Sequence, residues 1–269
     1  MHNAVAIVFV STDEGHVLIP ALESLSAHPP EHPLQVVVVD NASTDGMPEE
    51  VRSRWPHIPV LTQPCRRGLP ANLNQGIRAT SAPLVMLCNP DLTFPDGAVD
   101  TLASFLESRP RAGMAAPKLL SPEGDRRPSA RRWYTLDSLV ALKLPWRPGS
   151  PPQAVARSVY DDWDYTEARQ VDWVPCPATM VRRTALNEVG LMDERFRLYF
   201  DDVDISLRMH LGGWEVWCVP AAEIVHYEQR ASVTVLSPAW RWHLFSLGKF
   251  AWKHRGLGPP GGPPRVRRG

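Results

Sequence analysis

A carboxylate and an amide side chain directly follow a run of five apolar residues, at Asn89-Pro90-Asp91. The run, Leu84 to Cys88, is too short for a helix of its own and is typical of a strand buried on both faces. Open α/β sheets commonly build ligand sites where such a strand delivers a carboxylate at its C-terminal end. Asp91, with Asn89 beside it, would suit Mg²⁺ or Mn²⁺ better than zinc. A turn that only ends the strand is the alternative.

Three aspartates, Asp201, Asp202 and Asp204, open a predicted helix after an aromatic pair. Carboxylates in a first turn are favourable to the helix dipole, so a purely structural role is one interpretation. Asp204 has Arg208 four residues later, and we expect the two to form an ion pair. Asp201 can cap the helix. Asp202 is crowded by like charges, which together with burial would raise its pKa and suit a general base.

Three further segments offer polar groups at the ends of apolar stretches or in loops. Asp40 ends the run Val36–Val39 and could accept a base N–H or a ribose hydroxyl, or merely form a turn. Arg67 and Gly68 belong to a short basic loop that could approach a diphosphate, or simply be solvated. His226 ends an apolar segment as Asp91 does, and is a candidate third ligand; a hydrogen-bonded histidine is the alternative.

Alternating strand and helix patterns must position these groups. Apolar runs predict strands at Val5–Val10, Val36–Val39, Val60–Thr62, Leu84–Asn89 and Trp214–Val219. Helical spacing predicts helices at His16–Ala27, Leu69–Thr80, Pro95–Ser108, Arg182–Val189 and from Asp201 onward. Strand, helix and strand at this spacing predict a parallel sheet. A further ordered segment is predicted at Val171–Val174, and we predict that the last strand turns at Pro220.

The pattern weakens between Ser121 and Gln170, where four arginines cluster ahead of a Pro-rich loop at Pro145–Pro152. Long irregular insertions in compact domains are usually functional or disordered. The cluster could guide an anionic, lipid-linked acceptor, and a solvated basic face is the other interpretation.

Composition excludes several classes of protein. The 269 residues fit one large α/β domain or two small ones. The 29 basic residues balance 29 acidic ones, so nothing global indicates nucleic acid. Four cysteines without a C-x-x-C pair indicate cytosolic free thiols rather than zinc. The loop after the first strand lacks G-x-G-x-x-G and P-loop patterns, which argues against those nucleotide sites. Apolar runs are too short to span a membrane and the start lacks a signal-peptide pattern, so a cytoplasmic location is expected.

Residues 240–255 combine aromatic and basic side chains. A helix with this composition suits a membrane interface, which would place the protein beside a lipid-linked acceptor on the inner face of the plasma membrane. Packing on the domain is the other interpretation, and both stay open. The Pro-, Gly- and Arg-rich tail, 256–269, is predicted to be disordered.

The order of these motifs resembles family 2 glycosyltransferases of the GT-A fold, especially the rhamnosyltransferase-like branch, from about Val5 to Ser232. The resemblance depends on five motifs in order: Val-Val-Val-Asp40-Asn41-Ala-Ser-Thr-Asp45-Gly46, Gly68 with Asn74-Gln-Gly76, Asn89-Pro-Asp91, Gly190-Leu-Met-Asp193-Glu-Arg-Phe196, and Tyr-Phe-Asp201-Asp202-Val-Asp204. It departs from the family at Thr12, where an aromatic residue is usual, at Cys176-Pro177, where Gly-Ala is usual, and at Asp201, where Glu is usual.

The resemblance implies an α/β fold with a mostly parallel, Rossmann-like central sheet covered by helices on both faces. It implies one GT-A domain at 1–235, with a nucleotide-binding half at about 1–117 and an acceptor half at about 118–235, followed by an amphipathic helix and tail at 236–269. The expected activity is an inverting, metal-dependent transfer of a sugar such as rhamnose from a dTDP- or UDP-sugar to a glycan, lipid-linked or small-molecule acceptor.

The resemblance also implies a role for individual residues. Asp91 and His226 would hold a divalent metal, Mg²⁺ or Mn²⁺, and Asp202 would be the catalytic base with Asp201 beside it. The donor would be bound by residues from several loops, namely Ser11, Thr12, Asp40, Arg67, Gly68, Asn89 and Trp173. A sugar nucleotidyltransferase and a catalytically silent sugar-nucleotide-binding protein are the alternatives. The first is disfavoured because the first strand's loop lacks a Gly-rich basic segment.

Overall fold

The structure, a computed structural model, describes residues 2–141, 152–227 and 238–259. Ser232, the tail from 260 onward and all but the last residue of the predicted loop at Pro145–Pro152 lie outside the described residues.

Four parallel strands form one half of the central sheet: β1 (Val5–Ser11), β2 (Leu34–Asp40), β3 (Val60–Thr62) and β4 (Leu84–Cys88). They stand side by side in the order β3-β2-β1-β4. Three helices connect them: α1 (Gly15–Ala27), α2 (Met47–Arg54) and α3 (Leu69–Arg78). Every residue of β1 and β4 is buried, as expected for strands covered on both faces. The predicted parallel βαβ arrangement is confirmed.

The other half of the sheet mixes strand directions. Its strands are β5 (Leu92–Thr93), β6 (Ala112–Leu120), β7 (Arg169–Gln170), β8 (Ala178–Arg182) and β9 (Glu215–His226). The order continues β4-β8-β6-β9-β5, with β7 beside β9. β8 is antiparallel to both β4 and β6, whereas β6 and β9 run parallel over a long register. Most paired positions in the sheet are therefore parallel, as predicted.

Helices cover this second half. They are α4 (Ala98–Ser108), α5 (Leu136–Ala141), α6 (Gln153–Ser158), α7 (Arg183–Val189), α8 (Asp201–Leu211) and α9 (Pro238–His254). None of the helices in the described part of the chain combines the length and apolar character needed to cross a bilayer.

The predicted turn at Pro220 is wrong, because β9 continues through it to His226. The register against β6 shifts at this point, where Val219 pairs with Pro117 and Glu223 pairs with the next residue, Lys118. The extra residues form an irregularity in the strand. A proline is tolerated there because the N–H that it lacks is not needed for a hydrogen bond between the strands. Regular structure is predicted at Val171–Val174, but this segment forms no strand and contributes a single β-bridge, between Trp173 and Arg131.

The close approach of α3 to the sheet depends on a glycine. A Cβ atom added to Gly76 would lie 2.3 Å from Cγ1 of Val8 in β1 and 3.2 Å from Cγ2 of Val39 in β2. Only a residue without a side chain lets the helix backbone lie this near the strands. This contact fixes the helix whose N-terminus borders the ends of β1 and β2.

A separate aromatic cluster joins α9 to α8. Phe250 is fully buried, and its ring lies 5.5 Å from the ring of Phe200, the residue before α8. Asp204, also fully buried, accepts hydrogen bonds from Arg208 (2.8 Å), Lys253 (2.5 Å) and His254 (2.7 Å). The predicted Asp204–Arg208 pair is confirmed, and the C-terminal helix packs on the domain.

Candidate active site

The ends of β1, β2 and β4 border a cavity of about 380 Å³. Its lining includes Val10, Thr12, Glu14, Asn41, Arg67, Leu69, Asn72, Asn89, Asp91, Arg197, His226 and Trp242. The carboxyl ends of parallel strands meet at one edge of a sheet, and for this reason polar residues that are distant in the sequence converge here. Because the resemblance implies that the donor binds among these residues, we call this space the donor cavity.

Asn41 connects the loops on one side of the donor cavity. Its Nδ2 donates to Oγ1 of Thr12 (3.0 Å) and to the carbonyl oxygen of Arg67 (3.2 Å), and its Oδ1 accepts from the backbone N–H of Arg67 (2.7 Å). The loop then leads to Gly68, where an added Cβ would lie 3.0 Å from the Cα of Arg197. Three predicted donor-binding residues, Thr12, Arg67 and Gly68, are thus held in one hydrogen-bonded and closely packed unit.

Two predicted donor-binding residues lie just behind this unit. Ser11 and Asp40 are fully buried, at paired positions at the ends of β1 and β2. One carboxylate oxygen of Asp40 accepts from the N–H of Ser43 (2.9 Å). Its other oxygen, the hydroxyl of Ser11 and Oδ1 of Asn72 are buried and have no hydrogen-bond partner within the described residues. Unsatisfied buried oxygens are costly. Of these three residues Asn72 lines the donor cavity, whereas Ser11 and Asp40 line neither cavity.

Asp91 and His226 are brought together by strand pairing. Leu92 of β5 pairs with His226 of β9, and the N–H of Tyr227 donates to the carbonyl oxygen of Asp91 (3.0 Å). As a result, Nε2 of His226 lies 3.3 Å from Oδ1 of Asp91. Two ligands of one octahedral ion at about 2.1 Å lie about 3 Å apart, so this pair fits a single Mg²⁺ or Mn²⁺. His226, the second predicted ligand, follows Asp91 by 135 positions in the sequence, so strand pairing is needed to bring the two together.

A second cavity, of about 240 Å³, adjoins the first and shares Leu69, Asn89, Leu198 and His226 with it. Asp201 and Asp202 line it from the start of α8, and Arg127 and Arg131 line it from the opposite loop. We call it the acceptor-side cavity. The predicted base and the predicted metal ligands therefore border one continuous cleft.

The turn before α8 aims the two aspartates into the acceptor-side cavity. Tyr199 and Phe200 both have left-handed backbone conformations, with φ of 66° and 63°. Such conformations cost about 1–3 kcal/mol each in residues other than glycine and persist only where the surroundings enforce them. Here the enforcing contacts are aromatic, since the ring of Phe200 lies against Tyr134 (5.3 Å), His243 (5.1 Å) and Phe250.

Burial changes the titration of this pair. It raises the pKa of Asp201, and the charge of Asp202 raises it further. Burial likewise raises the pKa of Asp202, while the N–H of Val203 and the charge of Arg131 act against that rise. A carboxylate with a raised pKa is a better proton acceptor near neutral pH than an ordinary aspartate.

The arginine cluster divides between two environments. Arg126 lies over the ring of Tyr165 (4.4 Å) and donates to a backbone carbonyl, and Arg132 pairs with Asp162. Arg127 and Arg131 instead line the acceptor-side cavity, and Nε of Arg127 is buried with no hydrogen-bond partner among the described residues. Half of the cluster is therefore structural, and the other half faces the cleft.

Trp173 does not line either cavity. It is 4% exposed in the aromatic cluster of α8 and α9, and its ring N–H donates to the carbonyl oxygen of Arg132 (2.9 Å). Its predicted part in donor binding would have to be exerted through neighbours such as Arg131 or Tyr134. Sequence reasoning did not identify Asn41, Asn72, Glu14, Arg197 or Trp242. The first was recognisable beside Asp40, whereas Arg197 and Trp242 reach the cleft only through long-range packing.

The chain belongs to glycosyltransferase family 2. The family profile described as "Glycosyl transferase family 2" matches residues 6–190, which include the ends of β1, β2 and β4. The chain is therefore a glycosyltransferase, and the predicted family and enzyme class are confirmed.

Two relatives narrow the position of the chain within the family. The N-acetylglucosaminyl-diphospho-decaprenol L-rhamnosyltransferase of Mycobacterium tuberculosis (strain CDC 1551 / Oshkosh) is 30% identical, over 86% of this chain and 78% of that protein. Rhamnosyltransferase WbbL of Escherichia coli (strain K12) is 26% identical, over 69% of this chain and 67% of that protein. The resemblance to the rhamnosyltransferase-like branch is thereby confirmed.

A solved structure shows the same fold. The mannosyltransferase from Pyrobaculum calidifontis, in complex with GDP-Man and Mn²⁺, superposes with a TM-score of 0.67 at 20% identity, and the match covers 98% of this chain and 66% of that chain. The predicted GT-A fold is confirmed.

Proposed function

We propose that the chain is an inverting, metal-dependent glycosyltransferase that moves a deoxyhexose, L-rhamnose, from a nucleoside diphosphate sugar to a hydroxyl group of a lipid-linked glycan. The observation that carries this proposal is the continuous cleft that Asp91, His226 and Asp202 border from two sides. The names of the two relatives support rhamnose as the sugar, and that of the mycobacterial one supports a lipid-linked diphosphate acceptor.

The donor cavity suits a nucleoside diphosphate. The unpartnered Oδ1 of Asn72 can accept from the base or ribose, and Arg67 and Arg197 bring positive charge to the same space. Asp91 and His226 would hold Mg²⁺ or Mn²⁺. When bound, such an ion stabilises the negative charge that develops on a departing diphosphate.

Transfer in this geometry is a single displacement. The acceptor hydroxyl attacks C1 of the sugar, the C1–O bond to the diphosphate breaks, and its electron pair leaves with the diphosphate. The carboxylate of Asp202 takes the hydroxyl proton as the new glycosidic bond forms. Asp201 lies beside this base, and burial together with the charge of Asp202 raises its pKa, so Asp201 is the carboxyl of the pair that holds a proton more readily. Attack opposite to the leaving group inverts the configuration at C1.

The basic groups of the acceptor-side cavity favour an anionic acceptor. Arg127 and Arg131 face the same space as Asp202, and the Nε of Arg127 lacks an intramolecular acceptor in the described residues. A diphosphate that links a sugar to a lipid would supply acceptor oxygens for these guanidinium groups.

The experiment combines dTDP-rhamnose, with UDP-sugars as competitors, and N-acetylglucosaminyl diphosphate carried on a short polyprenyl chain. We expect a rhamnosylated product with Mn²⁺ or Mg²⁺, its anomeric centre inverted by NMR, and no product in EDTA. Full activity in EDTA, or retention at C1, would refute the metal-dependent or the inverting part respectively. Tight nucleotide binding with no turnover on any acceptor would support a silent binding protein instead.

We further propose peripheral contact with the inner face of the plasma membrane, on the cytoplasmic side. Arg241, Phe245 and Trp252 recur at helical spacing on the exposed side of α9, and Phe245 and Trp252 are 58% and 81% exposed. An apolar and basic stripe of this kind suits an anionic lipid surface. The intact protein should sediment with anionic liposomes, and Phe245→Ser with Trp252→Ser should not. Equal sedimentation of both proteins, or of neither, would exclude this contact.

A further inference from the structure

Three potential metal ligands meet at the edge of the sheet opposite to the donor cavity. His2 precedes β1, His32 lies between α1 and β2, and Glu107 lies in the last turn of α4. One ligand atom from each lies within 4.8 Å of the other two. Because β1 runs from this edge to the donor cavity and rises about 3.3 Å per residue, the two places are about 20 Å apart. The cluster is separate from the Asp91–His226 pair.

His32 is held as metal-binding histidines are held. It is 1% exposed, and its Nδ1 donates to Oδ1 of Asp100 at 2.5 Å. That carboxylate also accepts the backbone N–H groups of Glu31 (3.0 Å) and His32 (3.1 Å). A carboxylate on one ring nitrogen fixes the ring orientation and leaves the lone pair on the other nitrogen, which is the usual support for a histidine that binds a metal.

The second ring nitrogen of His32 faces the cluster. Its Nε2 is buried and has no hydrogen-bond partner within the described residues. Oε2 of Glu107 is 3.7 Å away, too far for a hydrogen bond. Two ligand atoms of one tetrahedral zinc ion lie about 3.4 Å apart, so the gap is close to the spacing of a shared ion.

The other two ligands are also prepared for this role. Oε1 of Glu107 accepts from the backbone N–H (3.0 Å) and the Nδ2 (2.8 Å) of Asn3, which leaves Oε2 for the cluster. The same bonds fix the residue next to His2, whose ring lies 4.6 Å from the ring of His32. Nε2 of His2 also lies 3.8 Å from Oε2 of Glu31, a weak contact between exposed side chains.

We propose that His2, His32 and Glu107 form a zinc site that attaches the segment before β1 to α4 and to the α1–β2 connection. Two imidazoles and one carboxylate suit Zn²⁺, with water in the fourth position. The site lies at the edge of the sheet away from the cleft, so we assign it to stability and not to transfer. An ion that binds only the folded state raises stability by mass action.

The test uses untagged full-length protein, stripped of metal and dialysed against Zn²⁺, in parallel with the variants His2→Ala and Glu107→Gln. His57→Ala is the matched control, because His57 is an exposed histidine outside the cluster. We expect wild type and His57→Ala to bind one more zinc per chain than the two ligand variants, by elemental analysis. Any zinc at Asp91–His226 is common to all four proteins and cancels in this comparison.

Two further measurements distinguish a built site from loose binding. Zinc should raise the melting temperature of wild type and His57→Ala but not that of His2→Ala or Glu107→Gln, and Co²⁺ should give the visible absorption of a tetrahedral site only in the first two. Asp100→Asn, which alters the support of His32, should weaken zinc binding about 10–100-fold. Transfer activity with Mn²⁺ should be unchanged in His2→Ala. Equal zinc content and equal melting shifts in all four proteins would overturn the proposal.

Discussion

The two sides of the cleft are positioned in different ways. On the donor side, Asp40 and Asp91 end or follow parallel strands, and the ladder itself fixes their places. On the acceptor side, Asp202 follows two aromatic residues in left-handed conformations, and contacts with α9 hold that turn. The strand ends of the donor side are therefore positioned by pairing within the sheet, whereas the turn on the acceptor side is positioned by the packing of aromatic side chains. Four substitutions test this difference.

Asp202→Asn should have the largest effect on transfer. The amide keeps the size of the side chain but cannot accept the proton, and general-base help is worth about 10²–10⁴-fold. Turnover under saturating substrates should fall by about that factor while nucleotide affinity, measured by calorimetry, stays unchanged. Ordinary turnover would remove Asp202 from the reaction, and an equal loss of nucleotide affinity would mean that the two sides are not separable.

Phe250→Ala should damage the acceptor side more than the donor side. Removal of a fully buried phenylalanine costs about 3–5 kcal/mol, and here it also frees the turn at Phe200. We expect a lower denaturation midpoint and slower transfer, with nucleotide affinity close to that of wild type.

The matched control for Phe250→Ala is Trp252→Ala, on the same helix and 81% exposed. Surface substitutions usually change stability by less than about 0.5 kcal/mol. If both variants lowered stability and transfer equally, the aromatic support of the turn would not be the cause.

Gly76→Ala should instead disturb the donor side. The added methyl group would lie 2.3 Å from Cγ1 of Val8, so α3 must move away from the sheet, at about 1–3 kcal/mol. We expect calorimetry to show weaker nucleotide binding, while the pH profile of transfer stays close to that of wild type. Gly248→Ala in α9 is the control, since a Cβ there meets none of the described residues within 4 Å. Unchanged nucleotide affinity in Gly76→Ala would contradict the account.

Arg131→Met should have the smallest effect on turnover at saturating acceptor, where it should show as a shift in the pH dependence of transfer. Asp202 must be deprotonated to act, so the rate falls as the pH drops through its pKa. Burial raises that pKa, and the fall therefore begins at a higher pH than for an ordinary aspartate, whose pKa is about 3.9. The charge of Arg131 lowers the same pKa, so removal of this charge should move the acid limb, the fall of the rate at low pH, to still higher pH. Arg126→Met, outside the cavity, should leave the limb in place, and a shift toward lower pH in Arg131→Met would contradict the assignment.

The same contrast explains which features the sequence predicts. Strand ends are read from apolar runs, and so Asp40, Asn89 and Asp91 were identified together with β1, β2 and β4. The strand β6 is rich in alanine and β8 is short, so neither gives a clear apolar run in the sequence. The passage of β9 through Pro220 depends on a register shift against β6. Arg197, Trp242 and the strained turn at Phe200 are set by tertiary contacts, for which a single sequence carries no periodic signal.

We propose that Asp91 binds the donor through a metal while Asp202 acts only on the acceptor. The most direct measurement is a calorimetric titration of dTDP, with and without Mn²⁺, into wild type, Asp91→Ala and Asp202→Asn. Mn²⁺ should strengthen dTDP binding to wild type and Asp202→Asn alike, and it should have no such effect on Asp91→Ala. Equal strengthening by Mn²⁺ in Asp91→Ala, or its loss in Asp202→Asn, would contradict this proposal.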